Sequence, residues 1–121
     1  MFEAQLLPGG VTIFGPWMNR QADNVRCTVE VVALASSPTL EVSLETKNSE
    51  DAGDGQVTGG PTLSASSVGR VTDEWDSQDL VNGGSTGLLE LVRYKYVTIG
   101  DSTDWVLFRM LNPNWFDSVK A

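Results

Sequence analysis

Strict apolar–polar alternation in two neighbouring stretches constrains this chain more than any other feature. In "RCTVEVVAL" (26–34), Cys27, Val29, Val31 and Ala33 share one side, with Thr28 and Glu30 on the other. In "TLEVSLETK" (39–47), Leu40, Val42 and Leu44 alternate with Glu41, Ser43, Glu45 and Lys47. A period of two belongs to a strand with one buried face. The link "ASSP" (35–38) has turn chemistry, so the two runs read as an antiparallel hairpin.

The rest of the chain follows the same logic less regularly. "EAQLL" and "VTIF" read as short strands separated by the break "PGG" (8–10), and "MNRQADN" (18–24) reads as a polar loop. The middle, 48–87, is rich in Gly, Ser, Thr and Asp. Within it "TLSASSV" is a strand with Leu63 and Ala65 inward, whereas "DEWDSQDLV" has weak character. "GLLELVRYKYVTIG" (87–100) is a long strand with Leu88, Val92, Tyr94 and Tyr96 on one face and Arg93 and Lys95 on the other. "WVLFRMLNPNWF" (105–116) is apolar on both faces up to "NPN", as in a central or doubly covered strand, which places Trp105 in the core. Seven to eight short strands and no amphipathic helix predict an all-β protein, an antiparallel β-sandwich or jelly roll. Its 121 residues suit a single domain, 1–121, with an N-terminal arm of about 1–9 and a C-terminal tail of about 113–121.

Charge limits the partners. Sixteen acidic side chains against eight basic ones give a net charge of -8, which disfavours direct contact with nucleic acid or an anionic membrane. The single cysteine, Cys27, excludes an intrachain disulfide and reads as a small buried hydrophobe. No secretory leader and no long apolar run stand out, so synthesis in the cytoplasm is expected.

Four groups of residues are candidates for a site. Glu50, Asp51 and Asp54 could ligate calcium, but their spacing does not fit an EF-hand loop, and a solvated turn is the preferred reading. Asp73, Glu74, Asp76 and Asp79 surround Trp75 and could form a carboxylate pair, but they lie in a segment read as exposed. The absence of histidine removes the commonest general base. Trp17, Trp75, Trp105 and Trp115 with Tyr94 and Tyr96 could make a sugar platform, although core or interface packing is favoured. Phe2, Leu6, Leu7, Trp17, Trp115 and Phe116 are apolar residues near chain ends and strand ends that call for a partner surface. An arm adding a strand to a neighbouring sheet would provide one.

The succession "LEVSLETKNSEDAGDG", "LVRYKY" and "WVLFRML" resembles small jelly-roll or discoidin-like sandwich proteins, including those encoded among phage virion genes. That resemblance implies architecture and no catalytic residues. The expected function is a non-enzymatic structural protein of a repeating assembly. A virion component, such as a capsid decoration or minor head or tail protein, is the concrete case. It would use no cofactor, associate with itself or with other virion proteins, and reside in the virion. The alternative is a carbohydrate- or cell-surface-binding sandwich module that uses Trp17 and Trp75.

Overall fold

The computed structural model describes residues 3–50, 56–57, 61–75 and 88–117. They form strands β1 (Gln5–Pro8), β2 (Thr12–Phe14), β3 (Met18–Asn19), β4 (Asn24–Ala35), β5 (Thr39–Lys47), β6 (Gln56–Val57), β7 (Leu63–Ala65), β8 (Gly69–Trp75), β9 (Leu91–Ile99), β10 (Trp105–Met110) and β11 (Asn114–Phe116), with no helix among them. All pairings are antiparallel and fall into two sheets.

Registers reduce the eleven strands to eight. Val29 pairs with Val71 on one edge and Met110 on the other, and Val25 likewise with Trp75 and Trp115, so β10 and β11 lie end to end along one edge of β4. By the same reasoning β2 and β3 share an edge of β9, and β6 and β7 share an edge of β5. Sheet I therefore runs β1, β10/β11, β4, β8, and sheet II runs β2/β3, β9, β5, β6/β7. Eight strands in two four-stranded sheets, with the chain changing sheet at every connection except β5 to β6/β7, is the jelly-roll topology.

This topology corrects the hairpin. β4 and β5 do not pair: β4 belongs to sheet I and β5 to sheet II, so 36–38 is a crossover between layers. Their apolar faces meet across the core, where Val25, Cys27, Val29 and Val31 of β4 and Leu40, Val42 and Leu44 of β5 are buried. Ser36 takes a positive φ of 68° at this turn. "PGG" makes a similar crossover from β1 to β2. Its Gly10 has a φ of 80°, and a methyl built on Gly9 would overlap the carbonyl oxygen of Asp101.

The crossovers at 9–11, 36–38, 66–68 and 100–104 collect at one end of the sandwich. Buried Thr98 links two of the elements there: its Oγ1 donates to the Pro8 carbonyl at 2.6 Å and accepts from the Val11 N–H at 3.0 Å. At the opposite end buried Thr46 donates to the Leu91 carbonyl and accepts from the Leu89 N–H, both at 2.8 Å.

Two further expectations change. The strand that starts at Trp105 ends before "NPN" as expected, but Trp105 itself, expected in the core, faces outward and is 37% exposed. Trp75, expected in an exposed segment, ends β8 with no exposed surface. The arm and the tail each supply a strand: β1 pairs with β10 of its own sheet, and β11 pairs with β4.

Candidate functional site

The outer face of sheet I divides into two halves. Its register places Leu6 beside Leu107 and Leu107 beside Ala33, with Pro8, Trp105 and Ala35 in the next row. Between Leu107 and Phe108 the register with β4 slips by one residue, so that Val32 is the extra residue of a β-bulge. A bulge sets two residues of one strand against one of its partner. Here it reverses the alternation: Val31 points inward, Val32 is exposed, and Leu34 packs against the core in place of Ala33. Leu6 is 62% exposed and Val32 46%. Leu6, Pro8, Trp105 and Leu107 with residues 102–104 line a shallow groove of about 460 Å³. This half, at the crossover end, is a contiguous apolar patch beside the edge strand β1.

The other half is a cross-strand lattice of charge. Glu30 accepts from Arg70 Nε and from Arg109 Nε, each at 2.7 Å, and so joins β8, β4 and β10. Arg70 first and then Arg109 hold the Glu30 carboxyl below its usual range. Arg26 pairs with Glu74, and Thr28 shares a hydrogen bond with Thr72 at 2.7 Å. The carboxylate candidates thus divide. Glu74 is ion-paired on this outer face, Asp73 is exposed and accepts from the Glu74 N–H, and Asp76 and Asp79 lie outside the described residues.

Sheet II presents a different outer face. Arg93 lies over the rings of Phe14 (4.1 Å) and Trp17 (4.5 Å), and Lys47 lies 4.8 Å from the Trp17 ring centre. Arg93 also donates to Glu45 at 2.7 and 2.9 Å, in a pair with little solvent access. Trp17 is half-buried beneath these two cations, whereas Phe14 keeps 46% of its surface exposed and Ile99, on the same face, 52%. With Trp17 covered and Trp75 buried, the two rings named for sugar binding form no open platform.

The remaining expected residues are dispersed. Leu7 is core, 8% exposed; Trp115 packs against the core; and Phe116 is half-buried with Arg26 5.7 Å from its ring centre. Phe2 lies outside the described residues, as do Asp51 and Asp54; Glu50 is exposed. Among the described residues no group of three carboxylate or thiol side chains converges to hold a metal. Tyr94 and Tyr96 belong to the core. Cys27 shares a hydrogen bond with Tyr94, but burial outweighs it and pushes the thiol up to about 11. Burial likewise pushes Tyr96 up to about 12.

Of the residues gathered at the patch, sequence reasoning named only Leu6 as interfacial. It missed Trp105, Leu107 and Pro8. The available signal was the two-sided apolar character of "WVLFRML", which fits a strand with one face in the core and the other awaiting a partner. Comparisons with protein-family models, curated proteins and solved structures found no match to this chain.

Proposed function

We propose that this chain is a non-enzymatic structural protein of a repeating assembly, and that it docks through the outer face of sheet I. The observation that carries the reading is the contiguous patch of Leu6, Pro8, Trp105 and Leu107, which includes β1, an edge strand of sheet I among the described residues. Exposed apolar surface of this kind marks interaction sites on soluble proteins. A virion component, such as a capsid decoration or minor head or tail protein, is the most concrete form of the proposal. The sequence resemblance supports it, and so does the jelly roll, an architecture that recurs in viral capsids. The fold alone does not carry a function.

Among the described residues the acidic excess lies more at the ends of the sandwich than on its sheet faces. Sheet faces are nearly balanced: Arg26, Arg70 and Arg109 against Glu30 and Glu74 on sheet I, and Lys47, Arg93 and Lys95 against Glu41 and Glu45 on sheet II. Asp23, Glu50, Glu90 and Asp117 lie at the end opposite the crossovers, with Arg20. At the crossover end Asp101 and Asp104 border the apolar shoulder, and Asp104 lines its groove, so among the described residues both ends of the sandwich carry acidic side chains.

Light scattering after size exclusion, across a range of concentrations, tests the proposal together with negative-stain imaging of the same fractions. Rings, shells, filaments or another defined oligomer are expected. Particles absent at every concentration, together with specific binding on a glycan array, would replace this reading with the carbohydrate one.

A further inference from the structure

We infer that the groove on sheet I receives a segment of a different protein, which lays an arginine over Trp105 against Asp101 and Asp104 and sets an apolar side chain on Leu6 and Leu107. The inference rests on the docking reading above and names the chemistry of the partner.

Sheet II holds the complete form of this arrangement. There Arg93 lies over the rings of Phe14 and Trp17 and donates to Glu45, so one guanidinium meets aromatic faces and a carboxylate together. Arginine suits both roles, because its planar fork stacks on a ring while its edge donates to oxygen. The groove offers the same two kinds of group without the cation. Phe14 and Trp105 are the exposed aromatic side chains among the described residues; Phe14 carries Arg93, and Trp105 carries no cation from a described residue. Asp104 lines the groove beside Trp105. Its Oδ2 accepts from the Asp101 N–H at 3.1 Å, which ties the two residues together, and neither is ion-paired among the described residues. No lysine or arginine lines the groove, and Arg109, the next outward residue of β10 beyond Leu107, is committed to Glu30. In a chain of net charge -8 such a corner attracts cations.

The apolar floor calls for more than a lone cation. From Trp105 the groove continues over Pro8, Leu107 and Leu6. Trp105 and Leu107 are two residues apart on one strand, about 6.8 Å, and an extended segment repeats its side chains at that interval. An arginine and an apolar residue two positions apart therefore match the groove, whereas a free amine would leave Leu6 and Leu107 uncovered. The arginines of this chain are already engaged. Arg26, Arg70, Arg93 and Arg109 are ion-paired, Arg20 donates to the Leu88 carbonyl at 2.6 Å, and the sequence holds no other. The occupant is thus another protein and not a second copy.

Peptide titration, followed by amide shifts in nitrogen–proton correlation spectra, tests this. The probe is acetyl-Ser-Arg-Thr-Leu-Ser-amide. Two relatives serve as controls: one carries citrulline, which keeps the shape of arginine without its charge, and one carries serine in place of leucine. The arginine peptide should move the amides of 6–7 and 102–107, and each control should bind about fivefold more weakly or worse. Trp105→Leu and Asp104→Asn should each weaken the arginine peptide by a similar factor with an unchanged melting temperature; Asp101→Asn is the second variant should Asp104→Asn fail to fold. Phe14→Leu, on sheet II, should bind as the parent does. No movement at any peptide concentration, equal binding of the citrulline peptide, or movement confined to sheet II overturns the inference. Movement of the same amides with protein concentration alone puts a second copy in the groove and also overturns it. Particles that form while the peptide moves nothing overturn it and leave the structural role in place. Peptide binding by a chain that forms no particle supports it and removes self-assembly.

Discussion

Trp75 shows how composition can hide a core residue. It sits in "DEWD", among carboxylates, yet it is the largest side chain in the sandwich with no exposed surface. The legible signal was period two in β8, where Val71, Asp73 and Trp75 share the inward side and Val71 packs against the core. Trp75→Ala should cost about 3–5 kcal/mol, from lost burial and the cavity left behind, read as a lowered urea midpoint. Trp105→Ala, on the outer face, should cost under about 1 kcal/mol. Glu30 makes a pH prediction. Arg70 and Arg109 lower its carboxyl pKa in the folded state, so the unfolded chain binds the proton more readily. Its stabilising contribution is then complete above the ordinary carboxylate range and is lost as pH falls through the lowered value. Glu30→Gln should flatten the acid side of the stability profile, measured as urea midpoints between pH 7 and pH 3, while leaving the melting cooperative. A steeper acid slope in the variant would refute this.

Among the elements, alternation reported burial faithfully and pairing poorly. The inward positions of β4 up to Val31, of β5 and of β9 all follow from the sequence, because a buried face filters side chains at every second residue. Which strand lies at a given edge depends on backbone hydrogen bonds, which alternation does not record. "ASSP" is short enough for a hairpin turn and also long enough to cross between layers, so the sequence left the two indistinguishable. The bulge at Val32 was equally silent: Val31, Val32, Ala33 and Leu34 are all apolar, so a reversal of phase leaves no mark. The crossovers yield a paired test. Gly9→Ala should destabilise by about 1–3 kcal/mol, as overpacked sites do, because a methyl there meets the backbone of 100–101. Gly15→Ala, whose methyl would make only ordinary contacts with Tyr96 and Tyr94, should fall within about 1 kcal/mol of the parent. Thermal melts of the two variants decide between a locked crossover and a permissive one.

For the molecule as a whole, the sequence disclosed the architecture and the excess of acid but not where either would be used. Net charge is a sum, and only the fold shows that sheet faces are balanced while Asp23, Glu50, Glu90 and Asp117 gather at one end. The interface expectation, drawn from apolar chain ends, kept Leu6 and lost Leu7 to the core, because adjacent residues of a strand point to opposite sides. Sheet I also fixes an order in time. Its first strand is completed by its next-to-last: Leu6 finds Leu107, and β4 lacks one whole edge until β10 and β11 exist. A chain ending at residue 104 would lack buried Phe108 and Met110 along with the only partner β1 has among the described strands. Such a truncation should show no cooperative melt and should be rapidly digested by protease. On the ribosome, the same pairing makes folding a late event, since residues 5–8 must wait for about a hundred more to be translated before they can dock. Pairings so distant in sequence also slow folding itself. The nascent chain therefore spends nearly all of its synthesis with the inner faces of both sheets uncovered, and its yield in a cell should depend on what shields them during that interval.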